Sequence, residues 1–305
     1  MATAAACRRA MLLMASVMAA AVISGAAPAS GTTTSSLQYD FYASRCPKAE
    51  ETGCDASILL DPTKTNPQTE KTTIPLRGYD AVNKIKAAVE AVCPGVVSCA
   101  DIVAFAARDS AIVSGNFAFA MPSGRRDGLV SNAFDVLLGI PSPASHLQDL
   151  IIRFNAKGLS VDDLVILSGA HSFGLIHCSS VTGRLYPTVD PTMNATFADK
   201  LKKLCPPPSS GGGNRAVSEN QVSPDPNALS NDFFKNVISG QVMFTSDQTL
   251  TSRNDTATMV ANNAGNPVAW MARFAAAMVK LGGIEVLTGT AGEVRKVCFA
   301  TNSGS

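Results

Sequence analysis

His171 lies in the run Ser168 to Gly174, which reads SGAHSFG, and Asp247 closes a second run, FTSD, from Phe244. A histidine that donates its second ring nitrogen to a carboxylate is oriented and made more basic, and on haem iron that pairing favours the oxidised states. The residue types suit a haem ligand and its partner. Spacing alone does not settle it, because a lone histidine near a helix is more often a structural residue than a ligand, and an aspartate so far downstream could be a surface group. The other two histidines, His146 and His177, stand in no such pattern and are assigned surface or supporting places.

The elements that must position these groups read as helices. Between Gly78 and Val92 the residues Val82, Ile85, Val89 and Val92 form one stripe that stops at Pro94. Ser98 with Asp101 opens a second helix to Val113, and Ser160 with Asp163 repeats the capping device before Leu164–Leu167, where Gly169 ends the run. Asn266-Pro267 starts another, with Val268, Met271, Phe274, Ala275 and Met278 on its apolar face and Gly282-Gly283 beyond it. Residues 61–75 and 206–226 are rich in Pro, Gly, Thr, Ser and Asn and read as loops. The pattern predicts a mainly helical protein without internal repeats.

With 305 residues, 46% hydrophobic and 16% charged, the chain is long enough for a full core, and a net charge of +1 gives no reason to expect nucleic acid as a partner. Arg8-Arg9, the apolar run from Ala10 to Ile23 and the small residues to Ala29 have the three-part form of a secretory signal peptide. Residues 1–29 are therefore expected to be removed, leaving 30–305 as one domain. No later run is long enough to span a bilayer, so no membrane association is expected. Export places the cysteines in an oxidising compartment. Seven remain after Cys7, an odd number, so one has no partner. Asn194 in NAT and Asn254 in NDT are acceptor sequons for glycosylation.

The LSGAHSFG segment followed by Cys178 resembles the proximal-histidine signature of the plant secretory (class III) haem peroxidases. FYASRCP at Phe41, GCDASILLD at Gly53, VSCADI at Val97, SGRRD at Ser123 and FTSD at Phe244 match that family in the same order, from Leu37 to Cys298. The resemblance implies the all-α plant-peroxidase fold, two helical lobes around haem b, and oxidation of phenolic donors by hydrogen peroxide. His171 would be the axial ligand, Asp247 its partner, and Pro141 in Ile140-Pro-Ser-Pro143 the substrate position at the haem edge. The implied disulfides are Cys46 with Cys93, Cys99 with Cys298, and Cys178 with Cys205. The implied state is a secreted monomer of extracellular space, cell wall or vacuole.

One family block has no counterpart. The segment with the R-x-H-F-H-D-C-F-V stretch would lie between Glu51 and Thr52, and it carries the distal histidine and arginine and the cysteine partner of Cys54. The resemblance therefore implies an incomplete distal side, no distal catalytic pair and an unpaired Cys54. Of the two family calcium sites, Gly53, Asp55 and Ser57 keep half of the distal set, near Glu70. The proximal set shows Ser172 and Asp225, with Val222 and Ser230 at the remaining positions. Three readings follow: an enzyme by family but impaired as it stands, a non-catalytic secreted relative, or a truncated product of splicing or gene prediction.

Overall fold

Ser160 and Asp163 start the helix that carries the candidate ligand. Asp163 Oδ2 accepts from the Ser160 backbone at 2.7 Å and Ser160 Oγ accepts from the Asp163 backbone at 3.1 Å, a complete capping box. The computed structural model describes residues 37–39, 41–42, 55–74, 76–115, 118–207, 215–223, 225 and 227–303, all of them within the compact unit Ser35–Ser305. The helices are α1 (Glu70–Thr73), α2 (Tyr79–Glu90), α3 (Cys99–Gly115), α4 (Ala133–Gly139), α5 (Leu147–Ala156), α6 (Val161–Ser168), α7 (Thr182–Leu185), α8 (Ala195–Leu204), α9 (Asp232–Ile238), α10 (Thr245–Gln248), α11 (Asn254–Gly265) and α12 (Pro267–Leu281). Strands β1 (Leu175–His177) and β2 (Ala216–Ser218) form one antiparallel pair with Ile176 opposite Val217.

Four local expectations need correction. The buried residue of α2 is Lys86, whose ammonium donates to Glu90 and to the Val97 carbonyl, whereas Ile85 and Val92 face solvent. Only Val82 and Val89 of the expected stripe pack inward, against Tyr42, Val97 and Ile102. On α12 the expected Met271, Phe274 and Met278 do pack on the core, but Val268 is exposed and the most buried residues are Trp270, Phe274 and Ala277, because the helix turns its tryptophan toward α6. At the start of α3, Ser98 caps the Asp101 amide at 2.9 Å, but Asp101 does not return the bond. Its carboxylate instead accepts from Tyr42, from the Gly124 amide and from Arg125, and the Cys99 and Ala100 amides are capped by Asp127. Finally, both expected loops contain regular structure, α1 in the first and β2 in the second.

The core has a large cluster of α5, α6, α9, α11 and α12 residues around Phe234 and Trp270, and a second around Phe197, Leu201, Met243 and Phe244. The Cys178–Cys205 disulfide belongs to the second cluster, and Cys99–Cys298 ties α3 to the chain's end. Cys93 is also disulfide-bonded, to a partner outside the described residues. Cys46 and Cys54 lie outside them too. The SGRRD run works as a structural clamp: Arg125 and Asp101 form a fully buried ion pair at 2.9 Å, and Arg125 also donates to the Gly282 carbonyl past the end of α12.

Candidate haem-ligand site

Helix α6 passes into a 3-10 turn, Gly169–Ser172, that holds His171. Gly169 ends the α-helix as expected, but in a right-handed conformation, so a left-handed cap is not its reason for being glycine. The reason is space. A Cβ on Gly169 would stand 2.6 Å from the Trp270 ring, which is wholly buried and donates its indole N–H to the Ile166 carbonyl at 3.2 Å. Close packing of α12 on this turn thus fixes where His171 begins.

His171 Nδ1 lies 2.8 Å from Asp247 Oδ1, and the Asp247 side chain is only 4% exposed. Asp247 is brought there by α10, whose Ser246 amide donates to the Pro143 carbonyl and whose neighbour Thr249 accepts from the Leu147 amide. The rings of Phe244 and Phe233 meet the imidazole edge-on, with centroids at 5.4 and 6.2 Å. Nε2 makes no hydrogen bond, and the side chain keeps 41% of its surface exposed. One ring nitrogen is therefore locked by a carboxylate while the other is open for a ligand.

A second carboxylate stands beside the pair. Glu219 Oε1 is 3.8 Å from His171 Nδ1 and, although buried, has no hydrogen-bond partner. Burial works against a charged imidazole, but the Asp247 charge and hydrogen bond, with Glu219 behind them, outweigh it and lift His171 to about 9. Burial pushes the Glu219 carboxyl up to about 8, against the lowering effect of His171. No motif or periodicity in the sequence marks Glu219. Its position comes from the β1–β2 pairing, continued by the Glu219 amide donating to the Gly174 carbonyl at 2.9 Å.

The remaining sequence-derived positions fall elsewhere. Asp55 accepts from the Ser57 amide, Ser57 Oγ donates to Glu70, and all three line a cleft of about 970 Å³ together with Asp135, Ile140 and Lys157. Gly53 lies outside the described residues. Ser172 is buried, and its hydroxyl and carbonyl accept from the Ser230 amide and from Asn220. Asp225 is exposed and caps its own turn through the Asn227 amide. With Val222 at a ligand position and Asp225 the one carboxylate of the set, this proximal set offers a calcium ion too few hard ligands. Pro141 is partly exposed between α4 and α5, in the loop held by the Ser246–Pro143 hydrogen bond. Asn194 and Asn254 are both exposed, and Asn194 also caps α8.

Among the described residues no helix is long and apolar enough to cross a membrane. The peroxidase family matches residues 18–266. "Peroxidase 2" of Zea mays is 47% identical over 257 residues, covering 82% of this chain and 76% of the relative. "Peroxidase 5" of Vitis vinifera is 43% identical over 259 residues, with 82% and 78% covered. "Peroxidase 1" of Zea mays is 38% identical over 313 residues, with 89% and 84% covered. With its helical architecture and these relatives, the chain belongs to the peroxidase family of oxidoreductases, in the plant secretory (class III) group.

Proposed function

We propose that this chain is a secreted plant peroxidase with the proximal half of the haem site built and the distal half lacking the groups that handle peroxide. The observation that carries the reading is the 2.8 Å contact of His171 Nδ1 with buried Asp247, which leaves Nε2 free. Haem b held by His171 would supply the redox chemistry by which hydrogen peroxide oxidises a phenolic donor. Asp247 accepts a hydrogen bond from Nδ1–H, so Nε2 is the nitrogen left to bind iron once its proton is displaced, and the Phe233 and Phe244 rings pack edge-on against the imidazole.

On the opposite side the chain has no histidine before His146, so the family's proton acceptor for peroxide is absent, with its arginine. General acid–base help and electrostatic stabilisation are each worth about 100-fold or more in rate. Slow turnover follows. Asp55 and Ser57, a few residues after the join between Glu51 and Thr52, line the same open cleft as Ile140 of the edge loop, which suits the loss of a segment from this part of the chain. Asp55, Ser57 and Glu70 keep oxygen atoms for a weakened distal calcium site. Residues 1–29 act as a leader, and exposed Asn194 and Asn254 suit an exported monomer.

A second reading, a truncated product whose complete sibling performs the chemistry, is favoured by the match to "Peroxidase 1". The 313 aligned residues exceed the 305 of this chain, of which only 89% take part, so the alignment opens gaps here. Sequencing cDNA across Glu51-Thr52 separates that origin from a genuine short protein: a longer transcript supports truncation.

Inserting a family-typical distal segment between Glu51 and Thr52 tests the function itself. Peroxide-dependent oxidation of a phenolic donor should rise by about 1000-fold or more. Equal turnover by both chains overturns the reading. In haem titrations, His171→Ala should abolish uptake, while Asp247→Asn should retain it and raise the iron's reduction potential.

A further inference from the structure

His171, Asp247 and Glu219 come from three separate elements: the turn after α6, helix α10 and the residue following β2. One ligand atom from each, a ring nitrogen and two carboxylate oxygens, lies within 4.8 Å of the other two. The Glu219 side chain is 11% exposed, and its inward oxygen has neither a donor nor water access. A buried carboxylate oxygen left bare is costly unless something positive meets it. The haem reading uses Asp247 and leaves this oxygen without a role.

We infer that in the haem-free protein these three side chains bind one first-row divalent cation, through His171 Nδ1, Asp247 Oδ1 and Glu219 Oε1. Zinc takes nitrogen and carboxylate ligands at about 2.0–2.2 Å, which separates two ligands of a tetrahedral ion by roughly 3.3 Å. The distances from Nδ1 to Asp247 and Glu219, 2.8 and 3.8 Å, bracket that separation. Side-chain adjustment would then have to bring the two carboxylates, which lie within 4.8 Å of one another, to the same separation. Three protein ligands and one further ligand is a coordination zinc accepts, and the His171 side chain keeps 41% of its surface exposed. The backbone already holds the outermost ligand, since the Glu219 amide is bonded to the Gly174 carbonyl.

Occupancy of this site excludes occupancy by haem. A cation on Nδ1 forces the imidazole proton onto Nε2, the atom that would bind iron, and a haem on Nε2 returns the proton to Nδ1 and Asp247. Only this exclusion rests on the proposed haem-ligand role; the cation site stands on the three side chains.

Calorimetric titration of the metal-stripped, haem-free full chain with Zn²⁺ tests it. One equivalent should bind, and Glu219→Gln, with an unchanged circular dichroism spectrum, should weaken binding at least about tenfold. His171→Ala should weaken it further. Failure of the parent chain to bind Zn²⁺, or equal affinity in parent and Glu219→Gln, overturns the site. Co²⁺ substitution gives an independent reading, with ligand-field bands expected in the parent and lost in Glu219→Gln; the same bands in both overturn it. Zinc-loaded protein should take up hemin more slowly and weakly than the stripped protein, and identical uptake overturns the exclusion. If hemin binds neither form while Zn²⁺ binds through Glu219, the haem reading fails and the cation site holds.

Discussion

Gly169 and Trp270 meet across the packing of α6 on α12, with the indole ring in the space that a side chain on Gly169 would need. That contact places the 3-10 turn of His171 two residues downstream. Gly169→Ala puts a methyl 2.6 Å from the ring, and because Trp270 is wholly buried and held by Ile166, the ring cannot swing away. Overpacking of this kind costs about 1–3 kcal/mol. Chemical denaturation should show that loss, and haem uptake should weaken with it as the turn shifts; Gly183→Ala, where nothing lies within 4 Å, is the control and should change neither.

The buried pair of Asp101 and Arg125 is the second point of fragility. Both side chains have no exposed surface, and Arg125 spans from α3 to the Gly282 carbonyl. Arg125→Met leaves the Asp101 carboxylate with only Tyr42 and backbone donors, and removing one partner of a buried pair costs about 3–5 kcal/mol. Urea unfolding of Arg125→Met should show that loss. The double replacement Asp101→Leu with Arg125→Met should recover part of it, because no uncompensated charge is then buried.

What the sequence disclosed follows from how local each cause is. The Ser160–Asp163 capping box and the proline start of α12 depend on neighbours three residues apart or fewer, and both stand in the structure as read. The inward face of α2 was misread because Lys86 is buried by a bond to Val97, a partner in another segment. Asp101 likewise suits a helix start by spacing, yet Arg125 and Tyr42 claim its carboxylate. At the site, His171 and Asp247 were legible through their motifs. Glu219 was not, since strand pairing across a glycine-rich stretch brings it in.

Cysteine parity gives a prediction that rests on the proposed export of the chain. Cys99–Cys298 and Cys178–Cys205 are closed, and Cys93 is bonded to a cysteine outside the described residues. If residues 1–29 are removed, as proposed, Cys46 and Cys54 are the remaining two, and one of them should keep a thiol. The family resemblance assigns it to Cys54. Alkylation of the unfolded, unreduced protein followed by mass mapping should label Cys54 once and no other cysteine; a label on Cys46 instead would mean that Cys54 has taken Cys93.

The paired carboxylates around His171 also set how the haem-free chain responds to pH. His171 is lifted from 6.5 to about 9 by Asp247 and Glu219 against its burial, and Glu219 from 4.5 to about 8 by its own burial. Both folded values lie above the unfolded ones, so between them the folded chain binds more protons than the unfolded chain does. Stability from Glu219 is therefore full below about pH 4.5 and declines through about 8, and that from His171 is full below about 6.5 and declines through about 9. The two declines overlap, and the urea midpoint should fall steadily from pH 5 to pH 9. Glu219→Gln removes one titration and part of the lift on His171, so its midpoint should fall less over the same range. A parent midpoint that rises across that range would show that Glu219 stays ionised in the fold, with its bare oxygen neutralised by some other group.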